Sequence, residues 1–325
     1  MRALVTGAAG FIGAHVVDAL ADAGADVIAF DRSFPNDQPV STTQIVGDVL
    51  DPDALARAMA DCDAVFHMAA VYSYRRADAT LMQSVNVEGT RAVLEAAARG
   101  RRRRVIHTSS CATCGPVAGR AATEQDLPTA GDLAIPYKRT KLEGERLVLA
   151  AARAGIDAVV VNPTVPVGPG DLRPTPTGKM VADVASGRAG GYLRNSSLNI
   201  VAVEDIAAGH LRAYDHGSAG ERYLLGGENL TIRDVFAQIS TAVGRPAPQI
   251  GVPWALAYAA ALLAGAALRP ISREPRMLLL DEVRSGRLPH LFDDSKARID
   301  LGYSSRPAAE ALAAAARDAV ANANS

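Results

Sequence analysis

Val5-Thr-Gly7-Ala-Ala-Gly10-Phe-Ile-Gly13 continues a short apolar run, Ala3-Leu-Val5, and opens an amphipathic stretch that predicts a helix from Phe11 to Ala23. Three glycines between a strand and a helix permit a tight turn, let backbone approach a pyrophosphate and let the helix pack closely on the sheet. The helix N-terminus then offers free N–H groups and the positive end of its dipole to an anion. A glycine triplet alone is a weak signal. Its place between a strand and a helix turns it into a dinucleotide grip, and makes Gly7, Gly10, Phe11, Ile12 and Gly13 the expected contacts.

Beyond this turn, short apolar runs alternate with helical patterns. Strands are expected near Ala3–Thr6, Val27–Phe30, Gln44–Val46, Ala64–His67, Val105–Thr108 and Ala158–Val161, with helices at Val85–Ala98 and Ile135–Ala154. Such alternation predicts an α/β fold of the Rossmann type, a parallel sheet wound on both faces. After Asn162 the chain carries Pro163, Pro166, Pro169, Pro174 and Pro176 with Gly168, Gly170 and Gly178, which predicts a long loop unsuited to a sheet interior. Strand Ile200–Val203, helix Val203–Tyr214 and strand Arg222–Leu225 are expected to return to the main sheet, and Thr231 and Ser295 to cap later helices. The division predicted is a dinucleotide-binding domain over 1–165, joined again by 200–225. A smaller, mostly helical substrate-binding region would comprise 166–199 and 226–325.

The second strand ends at Asp31, where a carboxylate accepts hydrogen bonds from ribose hydroxyls and disfavours a 2′-phosphate. NAD is therefore the expected cofactor, while the adjacent Arg32 leaves NADP open. Asp48 and Val49 follow the third strand, where an acid can accept from an adenine amino group. Ala69 and Ala70 follow the fourth and leave room for the dinucleotide. His67 reads as a packed histidine, and Asn86, counted with the cofactor-side residues, as a hydrogen-bonding brace for the backbone near the catalytic strand.

Tyr137 and Lys141 stand four apart on a predicted helix, so both leave one face. A phenol near its reference pKa of about 10 is a poor base at neutral pH, but a lysine ammonium and a positive nicotinamide ring would favour the phenolate. Tyr137 can then exchange a proton with a substrate oxygen while hydride moves to or from nicotinamide. Ser110, at the end of the fifth strand, is placed to hold that oxygen, ahead of Thr108 and Ser109.

Composition narrows the partner. The 325 residues are 49% hydrophobic with a formal net charge of -1, enough for a large core and too neutral to attract nucleic acid or an anionic membrane. The run Arg101–Arg104 reads as a solvated connection. Three cysteines and a first strand with no leader before it predict a cytoplasmic protein. Cys111-x-x-Cys114 reads as packing, and no metal site is expected. The uncharged stretch Val252–Leu268 reads as a buried or substrate-covering helix. The expected partners are a small-molecule substrate and a second copy in a homodimer, without nucleic acid or stable membrane insertion.

These residues resemble the extended short-chain dehydrogenase/reductase superfamily: Thr6-Gly7-Ala-Ala-Gly10-Phe-Ile-Gly13, Asp48, His67-Met-Ala-Ala70, Asn86-Val-Glu-Gly-Thr90, Thr108-Ser-Ser110 and Tyr137-x-x-x-Lys141. Val161-Asn-Pro-Thr-Val-Pro-Val-Gly-Pro-Gly-Asp171, Gly226-Gly-Glu-Asn-Leu-Thr231 and Phe292-Asp-Asp-Ser-Lys-Ala297 are similar to the hopanoid-associated sugar epimerase group, near the dihydroflavonol-reductase branch. The resemblance implies a catalytic trio of Ser110, Tyr137 and Lys141. It also implies cofactor contacts at Thr108, Asn162, Pro163 and Val165 besides those named above. Nucleotide-sugar dehydratases of the superfamily place Asp-Glu after the catalytic hydroxyl. Here Cys111-Ala112 follow Ser110, which argues against dehydration.

The function expected is an NAD(P)-dependent reductase or dehydrogenase of a secondary alcohol or ketone. A nucleotide-sugar epimerase that retains NAD is the alternative, and its diphosphate would need cations from Arg173, Lys179, Arg188, Arg194, Arg273 or Arg276. A non-catalytic dinucleotide sensor ranks third, because such a protein has no use for the tyrosine-lysine pair.

Overall fold

A computed structural model describes residues 1–34, 42–99, 103–268 and 280–323. Strands β1 (Arg2–Thr6), β2 (Asp26–Asp31), β3 (Thr43–Val46), β4 (Ala64–His67), β5 (Arg104–Thr108) and β6 (Ala158–Pro163) form a parallel sheet, joined at its edge by Arg222–Leu225. Its spatial order from that edge is β6-β5-β4-β1-β2-β3. The order reverses between β1 and β4, and the carboxyl ends of these two strands open the crevice where doubly wound sheets bind ligands.

The strands form because both faces are covered. Along β1, Ala3 and Val5 pack into one core and Leu4 into the other; along β6, Val159 and Val161 join the first, Ala158 and Val160 the second. This alternation is the two-residue period of a strand, with apolar residues on both sides. Helix α1 (Phe11–Asp22) buries Val16, Val17 and Leu20 on the first face. On the second lie α2 (Pro52–Met59), a helical run made of α3 (Ala79–Gln83), a π turn (Ser84–Gly89) and α4 (Thr90–Ala98), and, after the short α5 (Ala130–Leu133), α6 (Pro136–Arg153). Gly144 lets α6 approach the π turn closely, since a Cβ there would stand 2.5 Å from the Asn86 carbonyl oxygen.

The proline-rich segment is more ordered than its composition predicts. Val165–Val167 is an edge strand, β7, whose Pro166 needs no ladder donor on its open side. Helix α7 (Pro176–Ala185) starts with proline in its first turn and Thr175 capping the Gly178 N–H. A two-residue strand β8 (Tyr192–Leu193) precedes β9 (Ser197–Ala202), which was expected in the main sheet. It lies instead in a three-stranded sheet, parallel to β7 and antiparallel to Glu228–Thr231. Helix α8 (Val203–His216) packs on α1, followed by β10 (Arg222–Leu225) at the main-sheet edge and β11 (Glu228–Thr231).

The remainder comprises α9 (Ile232–Ala242), β12 (Gly251–Val252), α10 (Trp254–Leu268), α11 (Leu280–Ser285), α12 (Ser295–Leu301) and α13 (Ala308–Ala323). Thr231 caps α9 as expected. Ser295 does not cap α12; Asp293 accepts its N–H instead. Of the arginine run, Arg103 is buried and donates to the Met59 and Ala60 carbonyls at the end of α2, while Arg104 pairs with Asp157. These two are structural ties and not solvated charges; Arg101 and Arg102 lie outside the described residues. No helix among the described residues is long and apolar enough to cross a membrane.

Candidate active site

The carboxyl ends of the main-sheet strands open into a cavity of about 490 Å³. Gly7, Gly10, Phe11, Ile12 and Gly13 line one end. Gly7 has φ +72°, and a Cβ on it would meet the Ala69 nitrogen at 2.7 Å; a Cβ on Gly13 would stand 2.0 Å from the Gly7 carbonyl oxygen. Gly10 caps α1 without a side chain, so the first-turn N–H groups face the cavity with the helix dipole behind them.

Asp31, Arg32, Asp48 and Val49 line the same end. The Asp31 carboxylate accepts from the Ala9 N–H at 3.0 Å and the Arg32 N–H at 2.7 Å, so it braces the glycine turn while its remaining lone pairs stay available. Ala69, Ala70, Pro163 and Val165 also line the cavity. Segment 170–175 crosses over this end, where Arg173 donates to Ser33 at 3.1 Å. Turn, acid and small-residue lining together fit an extended dinucleotide.

Ser110, Tyr137 and Lys141 converge at the other end with Thr108. Burial pushes the Tyr137 phenol pKa up, with the neighbouring Ser110 hydroxyl pulling the opposite way. Burial is the larger effect, so the resting form of Tyr137 at neutral pH is the protonated acid. Lys141 donates from Nζ to the Thr108 carbonyl at 2.8 Å. Its pKa is lowered to about 8 by burial, against the opposing attraction of Glu145.

Asn86 and Asn162 do not reach the cavity wall. Asn86 is 3% exposed and clamps Val71 through two hydrogen bonds, with a third from Nδ2 to Thr140. The backbone it braces is the loop after β4, where the expectation had been the backbone near the catalytic strand. Asn162, an expected cofactor contact, is fully buried and donates from Nδ2 to the Ser110 carbonyl at 3.2 Å, Thr113 Oγ at 2.9 Å and Glu145 Oε at 2.7 Å. It fixes the strand end that carries Ser110.

Glu145 is the residue that spacing alone made hard to see. It continues the Tyr137 and Lys141 face one turn further, is fully buried, and pairs with Arg222 of β10 at 2.6 Å and Thr113 at 2.7 Å. Also unforeseen are Tyr72 and Tyr74, whose rings lie 4.5 and 6.3 Å from that of Tyr137. Ser285 of α11 and His290 complete that wall, His290 being held neutral by burial, with a pKa near 3.

His67 is 1% exposed between Thr6 and Thr90, and burial holds its pKa near 3, which makes it the packed neutral group expected. Cys111 and Cys114 are buried free thiols whose pKa values burial pushes up, Cys111 to about 12. Among the described residues, helix α10 lines no part of the cavity. It buries Ala257 and Ala261 against Val283 of α11 and leaves Leu256 and Leu263 exposed, which agrees with the buried and not the substrate-covering form of the expectation.

The chain is 36% identical over 317 residues to a Synechocystis sp. protein named "Putative dihydroflavonol 4-reductase", covering 95% of this chain and 92% of that one. It is 33% identical over 312 residues to sterol demethylase protein B of Methylococcus capsulatus, covering 93% of each. Among solved structures, that of gox2253 superposes with a TM-score of 0.83 at 35% identity, covering 99% of this chain and 98% of that one. Residues 3–226 match the model of the NAD dependent epimerase/dehydratase family. With that match, the Rossmann-type sheet and a cavity that fits the dinucleotide, the chain belongs to this family of NAD-dependent enzymes within the extended short-chain dehydrogenase/reductase superfamily.

Proposed function

We propose that the protein is an NAD-dependent reductase of an uncharged ketone or aldehyde, running the reverse oxidation where the cofactor is supplied oxidised. The 1–165 half holds the dinucleotide, while 166–199 and 226–325 supply the rest of the substrate wall. When bound, NAD supplies or accepts the hydride. Ser110 and Tyr137 hold the substrate oxygen between two hydroxyls, and Tyr137, protonated at rest, donates its proton to the oxygen as the carbonyl becomes an alcohol. Lys141 places positive charge beneath the phenol and lowers the cost of the phenolate left behind.

The observation that carries the choice of reductase is the charge of the wall around Tyr137. Among the described residues that line this end of the cavity, the cations are Lys138 and Lys141; Lys138 is 2% exposed and bound to Asp132 at 2.8 Å, and Lys141 belongs to the trio. Arg173 lies at the Asp31 end on Ser33. Lys179 of α7 is not among the residues lining the cavity, Arg188 is paired with Asp183, Arg194 donates to Gly251, and Arg273 and Arg276 lie outside the described residues. A diphosphate needs charge-assisted donors, and among the described residues this wall offers none beyond Lys138 and Lys141, which favours a neutral substrate over a nucleotide sugar. The test is stoichiometric consumption of reduced cofactor with a panel of ketones and aldehydes, alongside UDP-hexoses. Redox-neutral conversion of a UDP-hexose, with dinucleotide surviving dialysis, would make the protein an epimerase.

A further inference from the structure

The loop after β4 carries Val71-Tyr-Ser-Tyr-Arg-Arg76 over the mouth of the trio. It is fixed at both ends. Asn86 holds the Val71 N–H at 2.7 Å and its carbonyl at 3.1 Å, and Arg76 makes a two-point pair with Asp281 of α11 at 2.9 and 3.0 Å. The Asp281 side chain is 1% exposed, so this clasp ties the loop firmly to the substrate side of the molecule.

Between these anchors the Tyr72 ring leans on the Tyr137 ring at 4.5 Å between centroids and 37° between planes. Tyr74 meets Tyr72 edge-on at 5.7 Å, and Tyr74 Oη reaches Ser285 at 3.5 Å. Tyr72, 39% exposed and lining the cavity, presents a fixed aromatic surface beside the proton donor.

We infer that Tyr72 is a specificity-determining residue, a platform on which an aromatic ring near the reacting carbonyl stacks, so that ketones carrying an aromatic ring are preferred to open-chain alkyl ketones of equal carbon number. This inference rests on the reductase reading. An aromatic surface gains on a second flat π system beyond simple burial, and a ring held by its neighbours loses no rotamer freedom on contact. An open-chain ketone has no π face to match it and must order its own torsions.

The experiment compares 2-tetralone with 2-decanone in wild type, Tyr72→Phe and Tyr72→Leu, measuring both turnover with reduced cofactor and calorimetric binding to the NAD-loaded protein. Tyr72→Leu should raise KM and Kd for 2-tetralone about 3- to 10-fold while leaving 2-decanone within about 2-fold. Tyr72→Phe, which keeps the ring, should retain wild-type selectivity. Equal effects on both ketones, no effect on 2-tetralone, or no binding of 2-tetralone to wild type would each overturn the platform. If the binding pattern holds but neither ketone consumes cofactor, the platform stands and the reductase reading falls.

Discussion

Asn86 pairs with Val71 as a neighbouring strand would, accepting the backbone N–H at 2.7 Å and donating to the carbonyl at 3.1 Å. Its own backbone carbonyl accepts from Thr90 Oγ at 2.8 Å, and Thr90 Oγ also meets His67 Nε2 at 3.0 Å. Because that hydroxyl spends its proton on Asn86, His67 is the donor in the second contact and therefore accepts from Thr6 at Nδ1. One chain of polar contacts thus runs from β1, which leads into the glycine turn, to the loop that carries Tyr72 and Tyr74.

Asn86→Ala should break this chain at its last link, because the backbone carbonyl that holds Thr90 remains while the side-chain bonds to Val71 are lost. The Val71 N–H and carbonyl lose their partner, which should cost about 2 kcal/mol in stability, measured by denaturant unfolding. Freed from its clamp, the loop should also raise KM more than it lowers kcat. A variant with unchanged KM and unchanged stability would show that the clamp positions nothing.

Tyr137→Phe removes the proton donor and leaves the ring stacked on Tyr72. Turnover should fall about 10²-fold or more, while dinucleotide affinity, read by fluorescence titration of bound NADH, stays near wild type. Near-normal turnover would move the proton transfer to another group.

The rate should fall on the alkaline side with an apparent pKa near that of Lys141, which stands at about 8 in the fold against an ordinary 10.5. Glu145 opposes the burial that depresses it, so Glu145→Gln should move this limb to lower pH, measured as kcat/KM against pH with circular dichroism to confirm the fold. The linkage sign follows. Between about pH 8 and 10.5 the unfolded chain binds more protons at this lysine, so its contribution to stability rises with pH across that window. A limb that stays in place in Glu145→Gln would show that another group titrates there.

The main sheet and the trio were legible because both follow local rules. Strands covered on two faces read as apolar runs, and Tyr137 and Lys141 lie one helical turn apart. What escaped depended on distant partners. Asn162 reads as a cofactor contact until Glu145 and Thr113, 17 and 49 residues away in sequence, claim its amide. Arg103 reads as solvated because the carbonyls it satisfies end a helix 43 and 44 residues earlier. Helix α10 has an apolar composition that signals burial, but its pattern does not say against which element, and α11 takes its contact face. The Tyr72-x-Tyr74 pair directly after His67-Met-Ala-Ala70 was the available signal for the substrate wall.

Cofactor choice turns on Asp31. Its carboxylate already holds the Ala9 and Arg32 N–H groups, so it cannot swing away to admit a 2′-phosphate without loosening the glycine turn. NAD(H) should therefore bind more tightly than NADP(H). Asp31→Ala should narrow that gap in two ways, weakening NAD(H) through lost ribose hydrogen bonds and a slackened turn, and lifting the repulsion of the 2′-phosphate. Arg32 and Arg173, which reaches Ser33 at 3.1 Å, flank the same edge and would then face a phosphate without a competing carboxylate. Arg173→Ala placed on the Asp31→Ala background should reverse part of the gain for NADP(H) and leave NAD(H) unchanged. Calorimetric titration of both dinucleotides against the three proteins reads this directly, and a wild-type preference for NADP(H) would mean that the two arginines outweigh the carboxylate.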